Sequence, residues 1–130
     1  MIGNYLQKEQ FSSYEDFLQN FKVEVPDDFN FGYDVIDAYA EKMPEKEAIM
    51  WVNDRGEKKH VTYRAFKNTT DRCAAFLQGI GVEKGDRVML ILKRRIEWWY
   101  TMVALHKIGA VAIPATHMLT DKDILYRCHM

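Results

Sequence analysis

Three adjacent cations, Lys93, Arg94 and Arg95, are the densest charged chemistry in this chain. They open a segment with helical apolar spacing. There the helix macrodipole disfavours positive charge by about 0.3–1 kcal/mol per residue. Glu97 offers one nearby counter-charge. The three are either a solvated cluster or a site where Arg94 or Arg95 meets an anion or a carboxylate from elsewhere. A second candidate is the run "ATHML" at 115–119, which holds Thr116, His117 and Met118. It comes after a short apolar run closed by Pro114, so it reads as a loop leaving the C-terminal end of a strand. Open α/β sheets hold ligands at such loops.

Several other chemistries are excluded by spacing. "GVEKGD" at 81–86 has two glycines and a lysine in neither the P-loop nor the dinucleotide arrangement, and it precedes a strand instead of opening a helix. His60, His106, His117 and His129 do not recur at ligand spacing, and Cys128–His129 alone is no zinc motif, so no metal ligand is assigned. No G-x-S-x-G elbow is present. The pairs Asp27–Asp28 and Asp121–Asp123 suit turns and caps. No catalytic residue is assigned. Trp98 and Trp99 could stack on bases. A net charge of -1, from 18 basic and 19 acidic residues, lacks the electrostatic footprint of a nucleic-acid binder.

The elements that must position these groups emerge from periodicity. With 48% hydrophobic and 13% aromatic residues in 130, the chain can build a core for one domain or part of one. Residues 1–32 read as a helical arm and connector. A serine of the Ser12–Ser13 pair caps a helix carrying Tyr14, Phe17, Leu18 and Phe21, and Pro26 keeps the connector beyond it extended. Phe29 and Phe31 anchor the connector. A helix over 33–43 presents Ile36, Tyr39, Ala40 and Met43 and ends at Pro44. "EAIMWVNDRGEKKHVTY" spells an antiparallel hairpin around "NDRG". Thr62 caps a helix over 63–80, which Gly79 and Gly81 stop.

A βαβ unit comes next, with parallel strands at 88–92 and 111–113 around a helix over 95–108. The first strand is apolar at every position, which predicts cover on both faces. The helix is apolar nearly all round. Ile96, Trp99, Tyr100 and Val103 form one face; Trp98, Met102, Leu105 and Ile108 form another. Such a helix is buried on more than one side. We therefore expect either a homo-oligomer formed through 95–108 or further protein packed there. Thr120 and Asp123 form a short capping box for a last helix. The fold class is thus α/β: short parallel strands with covering helices, plus a β-hairpin.

The longest uncharged run, Ile108 to Leu119, is too short to span a bilayer and contains Pro114. The opening residues lack the apolar stretch of a signal peptide. Cys73 and Cys128 are far apart in sequence and read as reduced thiols, so a cytoplasmic location is expected.

Two stretches resemble a known family. "HVTYRAFKNTTDRCAAFLQGIGVEKGDRVMLIL" is similar to the first core motif of adenylate-forming enzymes, with its helix and strand. "ALHKIGAVAIPATHMLTDKDILYR" is similar to their second core motif. "FNFGYDVIDAYAEKMPEKEAIMWVNDRGE" and "EWW" most resemble the medium-chain acyl-CoA synthetases of that superfamily. The resemblance implies that 33–130 is the first, incomplete part of an AMP-binding N-terminal domain. It implies that a carboxylic acid attacks ATP, with Mg²⁺, to give an acyl-adenylate and pyrophosphate. CoA then displaces AMP to form the thioester.

The family's phosphate loop, its adenine and ribose segments and its catalytic lysine would lie downstream of this segment, so the chain alone is expected to be inactive. By family position, Thr116, His117 and Met118 border the CoA nucleotide. Arg94 matches an arginine common in the medium-chain group, although Lys93 and Ile96 replace prolines frequent around it. The alternative is a stand-alone binding or oligomerisation module derived from the same fold.

Overall fold

The computed structural model describes residues 2–129. Its first part is an arm: a 3₁₀ turn at Ile2–Tyr5, then α1, Tyr14–Asn20. Of the serine pair, Ser13 caps α1, its Oγ accepting from the Asp16 amide at 3.1 Å. No residue of α1 is buried. The arm folds back on itself through a bridge between Leu6 and Val23. It meets the body where the Tyr5 ring stands edge-on to Phe29, with centroids 5.3 Å apart.

The helix expected over 33–43 is two pieces. A π-helical segment, Phe31–Asp37, runs into a short α2, Ala38–Lys42. Asn30 begins it, its side chain accepting from Gly32 N–H at 2.9 Å. The wider coil brings both Ile36 and Asp37 under cover. The hairpin forms as expected: β1, Glu47–Val52, lies antiparallel to β2, Lys58–Thr62, with Trp51 opposite Lys59. Its turn is held by Asn53, whose Oδ1 accepts from Arg55 N–H at 3.0 Å and Glu57 N–H at 2.9 Å. This is the Asx chemistry that "NDRG" promises. Thr62 then caps α3, Tyr63–Gly79, accepting from Ala65 N–H at 3.3 Å.

The βαβ unit is present. β3, Arg87–Leu90, pairs in parallel with β4, Val111–Pro114, and α4, Glu97–Ile108, crosses between them. β3 ends two residues earlier than expected, so Ile91 and Leu92 belong to the loop before α4. The alternation explains the apolar run. Leu90 joins the core formed with α3 and α4, with Val88 and Ala112 packed against it. The opposite face shows Val111 at 49% exposure, with Tyr126 of α5, Asp121–Cys128, across a shallow cleft. Cover on both faces is therefore only partial among the described residues. The Thr120–Asp123 capping box forms in full, with the Asp123 carboxylate accepting from Thr120 N–H at 2.9 Å.

Two cores result, and α4 serves both. Ile96, Tyr100 and Val103 pack with Ile36, Val61 and Phe66. Ala104 and Leu105 pack with Ala74, Leu77, Leu90 and Ala110. This corrects one of the two expectations for a helix apolar nearly all round, that a second copy covers it. The π-helical segment, the hairpin and α3 sheathe it from within the chain, and Leu105 is fully buried. Trp99 is the exception, at 50% exposure. The arrangement gives oligomerisation through 95–108 no support. No helix among the described residues is long and apolar enough to cross a membrane.

Candidate functional site

A cavity of about 860 Å³ lies beyond the C-terminal ends of β3 and β4. It brings together every site residue expected from sequence: Arg94, Thr116, His117 and Met118. Four structural units build its walls. The hairpin contributes Met50 to Val52 and Asp54, the β3–α4 loop contributes Leu92 to Arg95, and the loop after β4 contributes Thr116 to Met118. Trp98 and Trp99, edge to face at 4.8 Å, line it from α4.

Local chemistry sets the pose of each loop. Pro114 has no N–H, so the ladder continues through Ala115 N–H to the Leu90 carbonyl at 3.0 Å. Thr116 turns the chain next, its hydroxyl accepting from Met118 N–H at 3.3 Å. His117 and Met118 are left exposed, Met118 at 76%. On the facing loop, Trp51 Nε1–H donates to the Arg94 carbonyl at 2.8 Å.

The three cations then separate in role. Arg95 pairs with Glu97 at 3.2 Å, which raises the guanidinium pKa and lowers that of the carboxyl. Of the two arginines offered by the sequence, Arg95 is therefore occupied by Glu97. Lys93 and Arg94 have no acidic partner among the described residues. With Asp54 the one acid lining the wall, the cleft is cationic along the β3–α4 loop and apolar along the α4 tryptophans. That combination suits a ligand with phosphate and an aromatic ring. Among the described residues, no three His, Cys, Asp or Glu side chains converge as a metal site. No step is assigned through Mg²⁺.

A second polar cluster escapes the sequence reading. Lys107, the one lysine of the nearly all-apolar α4, has a side chain just 1% exposed. Its Nζ donates to Asp37 at 2.6 Å and also to Asp71. Lys67 completes the set, 2.6 Å from Asp71 and 3.6 Å from Asp37. Burial raises the Asp71 pKa, but hydrogen bonds from Lys107 and Lys67 outweigh it and the net shift is downward. Lys67 is raised chiefly by its bond to Asp71. Asn30 Nδ2–H donates to the His106 carbonyl at 2.7 Å, a second donor to an oxygen that also accepts from Gly109 N–H at 3.1 Å. The cluster fastens α4 to α3 and the π-helical segment, behind the cleft. The Lys67–Asp71 spacing was a usable signal. A lone lysine inside an apolar helix was another.

The free thiols Cys73 and Cys128 lie in different elements, Cys73 half-buried in α3 and Cys128 exposed at the end of α5.

Comparison with known proteins agrees with this architecture. The pattern of the AMP-binding enzyme family matches residues 36–129. The mitochondrial acyl-coenzyme A synthetase ACSM3 of Homo sapiens is 39% identical over 125 residues, 92% of this chain and 21% of its own length. The mitochondrial synthetase ACSM1 of Homo sapiens is 39% identical over 113 residues, 82% of this chain and 20% of its own. Among solved structures, the Streptomyces lividans acetoacetyl-CoA synthetase superposes with a TM-score of 0.72 at 23% identity, over 78% of this chain and 16% of that one. The Mycobacterium tuberculosis fatty acyl CoA synthetase gives 0.67 at 28% identity, over 75% and 19%. The chain belongs to the AMP-binding enzyme family, and it spans about a fifth of the curated relatives it matches.

Proposed function

We propose that this chain forms the opening part of the AMP-binding domain of an AMP-forming acyl-CoA synthetase, and that its cleft borders the phosphorylated nucleotide of CoA. One observation carries the reading. Arg94 and the 116–118 loop, distant in sequence, converge on a single cavity whose exposed cations Lys93 and Arg94 lack an acidic partner among the described residues. In that role Arg94 and Lys93 meet phosphate, the Trp98–Trp99 wall excludes water beside an aromatic ring, and the Thr116 turn presents His117 and Met118 to the ligand. The parent enzyme would use a carboxylic acid, ATP, Mg²⁺ and CoA, as the family resemblance implies. We divide the chain into an arm and connector, 1–32, and the AMP-binding segment from 33 onward. The family match beginning at 36 and the absence of buried residues in α1 support that division.

The segment alone has no ligase activity in this reading, because phosphate chemistry belongs to other parts of the domain. For its compartment, the separated thiols fit any reducing space, the cytoplasm included, while the relatives named above are mitochondrial. The test is titration of the purified chain with adenosine 3′,5′-bisphosphate, monitored by tryptophan fluorescence. Saturable, salt-sensitive binding that Arg94→Ala weakens about tenfold is expected. Binding indifferent to Arg94 would reject the site. Pyrophosphate release from ATP with any carboxylic acid would reject the inactivity.

A further inference from the structure

The β3–α4 loop has a mechanical problem that the hairpin solves. Residues 91–96 carry three consecutive cations, whose mutual repulsion favours splaying. Within the loop, the backbone offers only Arg95 N–H to the Lys93 carbonyl, at 2.7 Å. Among the described residues, one hydrogen bond ties the loop to a distant element: Trp51 Nε1–H to the Arg94 carbonyl, at 2.8 Å. Trp51 is itself fixed, since its ring packs against the core of Ile36, Val61, Phe66 and Tyr100. Its strand is held in register by Lys59 opposite.

We propose that Trp51 is a positioning residue for anion binding in the cleft, acting on Arg94 through the Arg94 backbone. This rests on the cleft reading above and adds a residue to it. Pinning the carbonyl at the central cation fixes which way Lys93 and Arg94 face. Glu97 holds Arg95 aside. The ligand then meets cations already placed, and the ordering cost falls before binding instead of during it. The hairpin, which holds no ligand-binding group expected from sequence, becomes the part that sets the pose of the site.

The test compares Trp51→Phe with the parent chain. Phenylalanine keeps an aromatic ring on the core and removes the N–H. Affinity for adenosine 3′,5′-bisphosphate should fall about fivefold. In an Arg94→Ala background the same change should cost nothing further, because Trp51 works through Arg94. A Trp51→Phe chain that binds like the parent overturns the proposal. So does an equal loss in both backgrounds, which is what a merely structural role gives. If the parent chain binds no bisphosphate, the cleft reading itself fails. Amide exchange then judges the latch alone: faster exchange at Arg95 in Trp51→Phe, with an unchanged melting midpoint, retains it, and unchanged exchange rejects it.

Discussion

Replacing Lys107 with methionine removes one charge and keeps the stem that packs in α4. Breaking a buried ion pair from one side costs about 3–5 kcal/mol, because the partner stays buried without its counter-charge. Two aspartates are affected here, and unequally. The Asp71 side chain is 39% exposed and keeps Lys67 at 2.6 Å, so its loss is screened. The Asp37 side chain is 12% exposed and keeps only Lys67 at 3.6 Å. The lower end of the range applies, about 3 kcal/mol. An unfolding entropy of about 2.1 cal/mol/K per residue over 130 residues converts this to about 10 °C in Tm. Urea unfolding monitored by circular dichroism measures it.

The pH dependence has a definite sign. The Asp71 pKa is depressed in the folded chain, so its contribution is present above the ordinary value of 3.8 and disappears as pH falls through the depressed value. Lys107→Met removes part of that depression. The gap between parent and variant should therefore narrow as pH drops from 7 toward 3. Adding Asp37→Asn to Lys107→Met should recover much of the loss at pH 7, since both members of the buried pair are then neutral. A loss below about 1 kcal/mol, or a gap equal at both pH values, would refute the idea that the charge pair fastens these elements.

Two further outcomes are expected. A Cβ on Gly32 would lie 2.4 Å from Lys107 Cγ and 3.2 Å from Asn30 Oδ1, so Gly32→Ala should cost about 1–3 kcal/mol by overpacking. Lys107→Ala removes that Cγ, so thermal unfolding should show the two changes combining to less than their sum. Thr120→Ala should lose about 1 kcal/mol of local helix stability in α5, read as faster amide exchange over 121–128. Because α5 buries no residue, the global midpoint should hold, and a fall in it would show that α5 supports the core.

The local devices were legible in residue order alone. The Ser12–Ser13 pair, Thr62 and Thr120 announce helix starts because a hydroxyl before a helical run has few better partners than the free amides behind it. "NDRG" announces the hairpin, and the Gly-framed apolar runs announce the βαβ unit. The candidate site was legible as residue types: Arg94, Thr116, His117 and Met118. That they share one cleft is a property of the packed chain, because loops from β3 and β4 meet solely through the parallel pairing of those strands.

Periodicity predicted cover on more than one side of α4 but not where that cover comes from. It reports how much of a helix is apolar, not which neighbours cover it, and two internal cores do so here. The π-helical turn at Phe31–Asp37 was hidden for a related reason. It ends at Asp37, which reaches Lys107, a contact between residues remote in the chain. A lone lysine in an apolar helix marked Lys107, but its partners stayed hidden because the compensating aspartates arrive on two other elements. Packing likewise sorted the three cations. Glu97 is two residues from Arg95, but the Trp51 N–H that fixes Arg94 comes from a separate hairpin.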